Sequence, residues 1–173
     1  MPRIHFRLSV SDLNRAIKEL GDRKKWYQAK CDEVALRLAQ IGVHLARLKI
    51  AEYDAIDTGK LISSVTAPQQ VRPGVYRFTC YADNGHGHNY AIDVEYGTGI
   101  IGNDHPHPNA DASRYARGEK IFQREDGEIG WFYPKNGKRY WTQGQPARPF
   151  WHDTAQELPL YIRAAINQAF GWD

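Results

Sequence analysis

Two pairs of histidines have the spacing of metal ligands. His86 and His88 form H-G-H, and His105 and His107 form H-P-H. Residues two apart in an extended chain point to the same side, so each pair could offer two imidazoles to one metal ion. With a carboxylate such as Glu95, they would form a zinc or iron site suited to a hydrolase or a nuclease. The alternative is that all four are exposed loop histidines.

The stretch VEYGTGIIG has the glycine spacing of a dinucleotide-binding loop. Gly97, Gly99 and Gly102 match G-x-G-x-x-G, and the preceding run Tyr90–Tyr96 alternates as a strand does. A nucleotide loop requires a helix directly after its glycines, because the pyrophosphate binds the amides at that helix start. The prolines of NDHPHPNA exclude such a helix after Gly102. The sequence therefore predicts a tight turn at a strand end, and no cofactor.

Aromatic and basic residues alternate between Trp131 and Trp151. The aromatic members are Trp131, Phe132, Tyr133, Tyr140, Trp141, Phe150 and Trp151. With the interleaved lysines and arginines they could stack bases and bind phosphates. The same composition is typical of a hairpin that packs on a core or against a neighbouring subunit.

Composition restricts the class of protein. The chain has 173 residues, 42% of them apolar, and a net charge of +3, which favours one globular domain spanning 1–173 over a dedicated nucleic-acid binder. Cys31 and Cys80 are isolated thiols, which fits a reducing cytoplasm. We expect no signal peptide and no membrane span from the apolar pattern.

Helical periodicity dominates the first third of the chain. Ser11-Asp12 and Gly21 are typical of the cap and the stop of a short helix. A longer helix with one apolar stripe is expected to follow, formed by Tyr27, Cys31, Val34, Leu38, Ile41, Leu45 and Leu48. This stripe would face the core, or it would pair with a neighbouring copy, because a four-three spacing is also a coiled-coil seam.

Strand patterns follow, and a helix closes the chain. The runs Val75–Ala82 and Tyr90–Tyr96 are predicted strands, and Asn136-Gly137 predicts a hairpin. Helical spacing returns between Trp151 and Phe170, where Pro149 could open the helix. The expected fold class is α+β: a long N-terminal helix packed on an antiparallel β-sheet, a long loop and hairpin insertion at 97–148, and a C-terminal helix.

Three segments together resemble a known family. They are DTGKLISSV (Asp57–Val65), YAIDVEYGTG (Tyr90–Gly99) and ARPFWHDTA (Ala147–Ala155), the last leading into the final helix. In this order they are similar to the gene-product-ten-like family of long-tailed phages, whose pattern runs from D-T-G-x-L-x-x-S through Y-A-x-x-V-E-Y-G-T to x-P-F-x-x-x-A. Family members are neck, head–tail joining or tail-completion proteins, and many are called minor capsid or minor tail proteins.

The resemblance implies a structural virion protein and no enzymatic activity. It would be one subunit of a homo-oligomeric ring in the neck or tail, assembled in the host cytoplasm. Its partners would be head–tail connector and tail tube proteins, with contact to the DNA that passes through the neck and none to membranes. The residues expected to contact subunits or partners are Asp57, Thr58, Gly59, Glu95, Tyr96, Gly97, Thr98, Gly99, Trp131, Trp141, Pro149 and Phe150.

Overall fold

The computed structural model describes residues 9–83, 85, 87–109, 122–135 and 137–172. Its largest element is helix α1, Val10–Glu52, with 43 residues, which makes it roughly 65 Å long. Ser9 caps its start, where the side-chain oxygen accepts a hydrogen bond from the backbone N–H of Asp12. The predicted stop at Gly21 is wrong, because one interior glycine costs only about 1 kcal/mol and strong helix formers flank it.

The buried face of α1 is offset from the predicted apolar stripe. Ala39, Val43, Ala46 and Ile50 are buried, at the three- and four-residue spacing of one helix face. Within the stripe only Leu45 is buried, whereas the others are half-buried (Val34, Leu38, Ile41) or exposed (Tyr27, Cys31, Leu48). The stripe therefore faces the core only in part.

Small residues explain why the core packs on that other face. A Cβ added to Gly42 would lie 2.5 Å from the ring of Phe78, so the ring needs a glycine beneath it. Alanine and glycine let neighbouring elements approach the helix closely, and this proximity outweighs the larger area that leucines would offer.

Two small antiparallel sheets follow α1 and the short helix α2. The bounds are α2 Lys60–Ser63, β1 Gln69–Arg72, β2 Val75–Arg77, β3 Phe122–Gln123, β4 Ile129–Lys135 and β5 Lys138–Thr142. One sheet is β1–β2 and the other has the order β3–β4–β5. The predicted hairpin is confirmed: Tyr133 pairs with Tyr140 across the β4–β5 turn, although Asn136 lies outside the described residues.

The predicted strand Val75–Ala82 is shorter in the structure. Strand β2 ends at Arg77, and beyond it Cys80 pairs with Val65 only as an isolated bridge. β2 also contacts α1, so the long helix packs against the first sheet as expected.

The predicted strand Tyr90–Tyr96 is wrong. This run is helix α3, Ala91–Tyr96, and its buried residues are Ala91, Val94 and Glu95. Asn89 starts the turn, because its side-chain oxygen accepts hydrogen bonds from the N–H groups of Ala82 (2.8 Å) and Ala91 (3.3 Å). A run this short satisfies period two and period 3.6 equally well, so tertiary contacts decide between them.

Two further elements of this region are short. Helix α4 is Gly99–Asp104, and strand β6 is Gly144–Gln145. The sequence led us to expect no helix at the glycines, and α4 corrects this, since it begins at Gly99 and ends before Pro106. The prolines terminate the helix but do not prevent it.

The C-terminal region is helical in three pieces: α5 Phe150–Glu157, a 3-10 helix Leu158–Tyr161, and α6 Ile162–Phe170. Pro159 interrupts the predicted single helix because proline has no N–H to donate. α6 packs along α1, where the ring of Phe170 lies 5.6 Å from that of Trp26 and 6.2 Å from that of Tyr27. The predicted α+β class, with its long first helix, antiparallel sheets and closing helix, is confirmed.

Candidate functional site

The three segments that carry the family resemblance meet at one hydrophobic core. Leu61 and Val65 come from the first segment, Ala91 and Val94 from the second, and Phe150 from the third. Phe150 and Val65 are among the largest fully buried side chains of the described residues. The segments are thus parts of one packed unit.

A buried carboxylate links the second segment to the third. Glu95 is 7% exposed, and its two oxygens accept the backbone N–H groups of Trp151 (2.8 Å) and His152 (2.9 Å). These N–H groups belong to the first turn of α5, where no residue of the helix itself can accept them. A negative charge at a helix N-terminus also interacts favourably with the helix dipole. Glu95 therefore serves as the missing cap of α5.

His107 completes the coordination of this carboxylate. It is 3% exposed, and its Nε2 lies 3.0 Å from Oε1 of Glu95. Its Nδ1 accepts the backbone N–H of Asn109 at 2.9 Å, so Nε2 carries the proton and donates it to Glu95. With both ring nitrogens engaged inside the fold, neither is available to a metal ion.

The other histidines do not form a metal site in the described part of the chain. His88 Nε2 lies 2.8 Å from a carboxylate oxygen of Asp93, His105 is exposed, and His86 lies outside the described residues. No group of three or more His, Cys, Asp or Glu side chains there is close enough to hold a metal ion. The three described histidines of the H-G-H and H-P-H pairs therefore have separate surroundings.

The glycines of the second segment allow two stretches of backbone to touch. Gly97 has φ +73°, and a Cβ there would lie 2.6 Å from the backbone nitrogen of Ala147. Thr98 and Gly99 form bridges with Gln145 and Gly144 of β6. Only glycine combines a positive φ with so close a backbone approach.

The close backbone contact at these glycines also explains why they have the spacing of a nucleotide-binding loop. Helix α4 has six residues, and the N–H of Ile101 in its first turn is directed at the carbonyl of Gln143 (3.4 Å). The backbone of Gln143 therefore occupies the position beside these glycines that a pyrophosphate would take.

An open cavity lies beside this packed unit. Its volume is about 1050 Å³, and its lining includes Asp57, Thr58, Thr98 and Trp131 of the predicted contact residues, together with Arg148. Both Asp57 and Thr58 are exposed. The N-cap position of α2 is Gly59, at φ +75° and without a side-chain cap of its own. Thr58 turns the chain into this helix, because its hydroxyl accepts the backbone N–H of Lys60 at 3.4 Å.

The predicted contact residues divide into three groups. Glu95 and Phe150 are buried within the chain, where they hold the fold together and present no side chain to a partner. Gly97, Gly99 and Pro149 act through the backbone, the last as N-cap of α5. For Asp57, Thr58, Gly59, Tyr96, Thr98, Trp131 and Trp141, a role in partner contact stays a prediction.

Two arginines, one on the β4–β5 hairpin and one directly after β3, stack on aromatic rings of the hairpin. The guanidinium of Arg139 lies 5.3 Å from the ring centroid of Phe132, and that of Arg124 lies 5.3 Å from that of Trp141. The Trp141 indole N–H donates to Glu128 at 3.1 Å. These arginines already occupy ring faces on which bases would stack, so the geometry does not favour the nucleic-acid interpretation.

Sequence reasoning missed the contacts that fasten other elements to α1. Asp32 accepts hydrogen bonds from the Gly74 N–H (2.7 Å), the Tyr76 hydroxyl (2.9 Å) and the Gln70 amide (2.8 Å). These bonds, the one from Gly74 above all, lower the pKa of Asp32. The carboxylate thereby ties the β1–β2 turn to the helix. No motif marks it, because its partners lie some forty positions along the chain.

A second polar contact joins the end of α1 to α5. The Tyr53 hydroxyl donates to Asp153 at 2.5 Å, and this bond raises the pKa of Tyr53 to about 12. Nearby, Lys49 lies 3.0 Å from both Glu52 and Glu157. Its pKa is raised by the bond to Glu157 first and then by that to Glu52.

No protein-family model, curated protein or solved structure matches the chain. No helix within the described residues is long and apolar enough to cross a membrane.

Proposed function

We propose that the chain is a structural virion protein of a tailed phage or prophage, acting at the head–tail junction as a neck or tail-completion ring subunit. The observation that carries this proposal is the convergence of the three motif segments on one core. Their most chemically suggestive residue, Glu95, has its carboxylate bonded to His107 and to two backbone N–H groups of α5. The motif residues thus serve architecture, which is what a structural family would retain.

The surface beside this core supports the same proposal. A ring is built from heterologous contacts, in which one surface of a subunit meets a different surface of the next. The cavity of about 1050 Å³ would serve as one of these surfaces, and the exposed residues Asp57 and Thr58 are part of its lining. Head–tail connector and tail tube proteins would bind the two faces of the ring, and DNA would pass through its channel.

Native mass spectrometry of the purified chain tests the proposal and its rival together. We expect a closed, metal-free oligomer. A monomer with stoichiometric zinc or iron would contradict the proposal and favour a metal-dependent hydrolase or nuclease.

A pair of matched variants tests whether the cavity is the ring contact. Thr58→Arg places a long cation in the lining of the cavity, whereas Gln69→Arg places the same side chain on the exposed strand β1. Neither residue is part of the core, so both variants should melt like the wild type. We expect the first to lose the closed oligomer and the second to keep it. Equal assembly of the two would remove the cavity from the contact.

A further inference from the structure

The buried histidine His107 binds two different groups with its two ring nitrogens. Its Nε2 lies 3.0 Å from Oε1 of Glu95, and its Nδ1 accepts the backbone N–H of Asn109 at 2.9 Å. The first contact attaches the ring to helix α3, and the second fixes the backbone that follows the ring. His107 is 3% exposed, whereas residues 108 and 109 are exposed, so the ring marks the point at which this stretch of chain leaves the core.

The two contacts of His107 respond in opposite ways to a proton. A protonated imidazole carries an N–H on each nitrogen and accepts no hydrogen bond. The contact with Glu95 survives, because Nε2 remains a donor and the positive ring has a counter-charge at 3.0 Å. The contact with Asn109 does not survive, because the new Nδ1–H would point at the N–H of Asn109. One proton therefore keeps the ring in place and removes the acceptor from the backbone beside it.

The titratable groups that face the ring come from helices α3 and α5. On α3, Glu95 contacts Nε2, and the phenol ring of Tyr96 has its centroid 4.4 Å from that of His107. On α5, the ring of His152 lies 5.2 Å away, edge to face, and its Nδ1 is 3.1 Å from the carboxylate of Asp153. A proton on His152 would thus be paired with Asp153. Among the described residues, the carboxylate that contacts the His107 ring itself is that of Glu95.

Proton uptake at Nδ1 is coupled to movement of the backbone at Asn109. A buried charged N–H requires a hydrogen-bond partner. The His107 side chain is 2% exposed, and the Asn109 N–H occupies the position in front of Nδ1, so water reaches this nitrogen when that N–H moves aside. Because Asn109 is exposed, its released N–H can bond to water instead.

We propose that His107 is a pH-sensitive switch that releases the backbone at 108–109 from the core when its ring gains a proton. Histidine ordinarily changes its charge between about pH 5 and 8, so the release falls in that range. The N–H groups of Trp151 and His152 stay bonded to Glu95, and the cap of α5 therefore stays closed. Acid frees the chain beyond His107 without opening the packed unit. This switch belongs to the single chain and does not depend on the proposed ring.

Two other histidines of the chain show why His107 differs. A ring nitrogen of His88 contacts the carboxylate of Asp93 at 2.8 Å, and one of His152 contacts that of Asp153 at 3.1 Å. A proton strengthens a contact of this kind, because it turns the pair into an ion pair. At His107 the nitrogen that would receive the proton accepts from a backbone N–H, so the proton breaks the bond.

Nuclear magnetic resonance of the full chain, labelled with nitrogen-15, tests the switch. The nitrogen–nitrogen scalar coupling across the Asn109 N–H···Nδ1 bond exists only while that bond is formed, and the ring nitrogen shifts of His107 report its protonation. We expect the coupling at about pH 8 and its loss as the ring titrates toward about pH 5, with the exchange protection factor of the Trp151 N–H unchanged. No coupling at the higher pH, a coupling that persists at the lower pH, or a simultaneous loss of protection at Trp151 would overturn the proposal.

Two variants separate the effect of His107 from that of its neighbour. His107→Asn places an acceptor oxygen near the position of Nδ1 but takes up no proton, so the pH-dependent shift of the Asn109 amide should disappear. His152→Gln removes the adjacent ring and leaves both bonds of His107 in place, so the shift should be retained. A shift retained in the first variant, or lost in the second, would overturn the assignment to His107. If His107→Asn does not fold, the coupling in the wild-type chain decides the question by itself.

Discussion

Replacing Glu95 by glutamine should destabilise the fold, although the two side chains have almost the same shape. The carboxylate of Glu95 accepts one N–H from the His107 ring and two from the backbone of α5. A glutamine amide offers one acceptor oxygen, and its NH₂ group would face at least one of these donors. The variant thus leaves a buried N–H without a partner.

The expected magnitude follows from this count of donors. A buried donor left unsatisfied costs about 1–3 kcal/mol, and hydrogen bonds to a charged acceptor are stronger than neutral ones. Since Glu95→Gln orphans one donor and weakens the other bonds, we expect a loss of about 2–4 kcal/mol in the free energy of unfolding. For a chain of this size, that corresponds to a fall in Tm of roughly 5–15 °C.

Urea and thermal unfolding, followed by circular dichroism, measure the effect. Asp93→Asn is the matched control, because Asp93 lies in the same helix and its partner His88 is exposed. We expect the control to change stability by less than about 1 kcal/mol. A double-mutant cycle of Glu95→Gln with His107→Ala should give a coupling of about 0.5–3 kcal/mol. Glu95→Gln melting like Asp93→Asn would refute the capping role.

Three further outcomes are expected. Gly97→Ala should lower the free energy of unfolding by about 2–4 kcal/mol, because it combines a positive φ with a steric overlap. Gly127→Ala, with a positive φ but open space around it, should lower it clearly less. Equal losses in the two variants would disprove the close approach of the backbone at Gly97. The lowered pKa of Asp32 implies a contribution to stability that is present above its unfolded pKa, near 4, and lost as the pH falls through its folded pKa. In a plot of Tm against pH, Asp32→Asn should therefore reduce the fall of Tm at acid pH. An unchanged fall would contradict this role of Asp32. Tyr53, whose pKa is raised to about 12 by its bond to Asp153, should stabilise the fold below pH ~10 and lose that contribution as the pH rises toward 12. In an ultraviolet titration, the Tyr53→Phe variant should show one late-ionising tyrosine fewer than the wild type.

Local signals in the sequence predicted the elements whose causes are local. The β4–β5 hairpin follows from a two-residue Asn-Gly turn between aromatic runs, and α1 follows from its apolar period. The stripe itself was identified, but its role was only partly foreseen. The face that packs in the core is set by Gly42 and by the alanines beside it. Small residues favour this face only because a distant side chain, the ring of Phe78, packs closely against it.

The remainder depends on contacts between distant residues. The run Tyr90–Tyr96 fits either a strand or a helix, and the buried positions of α3 decide the matter only once Phe150 packs nearby. Gly97 could be recognised as a turn residue, but its need for a missing Cβ arises from Ala147, which belongs to another segment. Glu95 was singled out as a ligand or contact residue, whereas its geometry makes it the cap of a helix 56 positions away.

The cap at Glu95 also fixes the two ends of the insertion at 97–148. The Arg148 N–H donates to the carbonyl of Val94 at 2.9 Å, and the Ala147 N–H donates to that of His105 at 3.1 Å. The chain thus leaves and re-enters the core at neighbouring points, and this closeness does not depend on the length of the segment between them. Closing a longer loop between fixed ends costs only about 0.6 kcal/mol for each doubling of its length. Evolution can therefore lengthen, shorten or exchange the part of this insertion beyond His107, the residue bonded to Glu95, with little effect on the core, and new binding specificities can arise there while the scaffold stays the same.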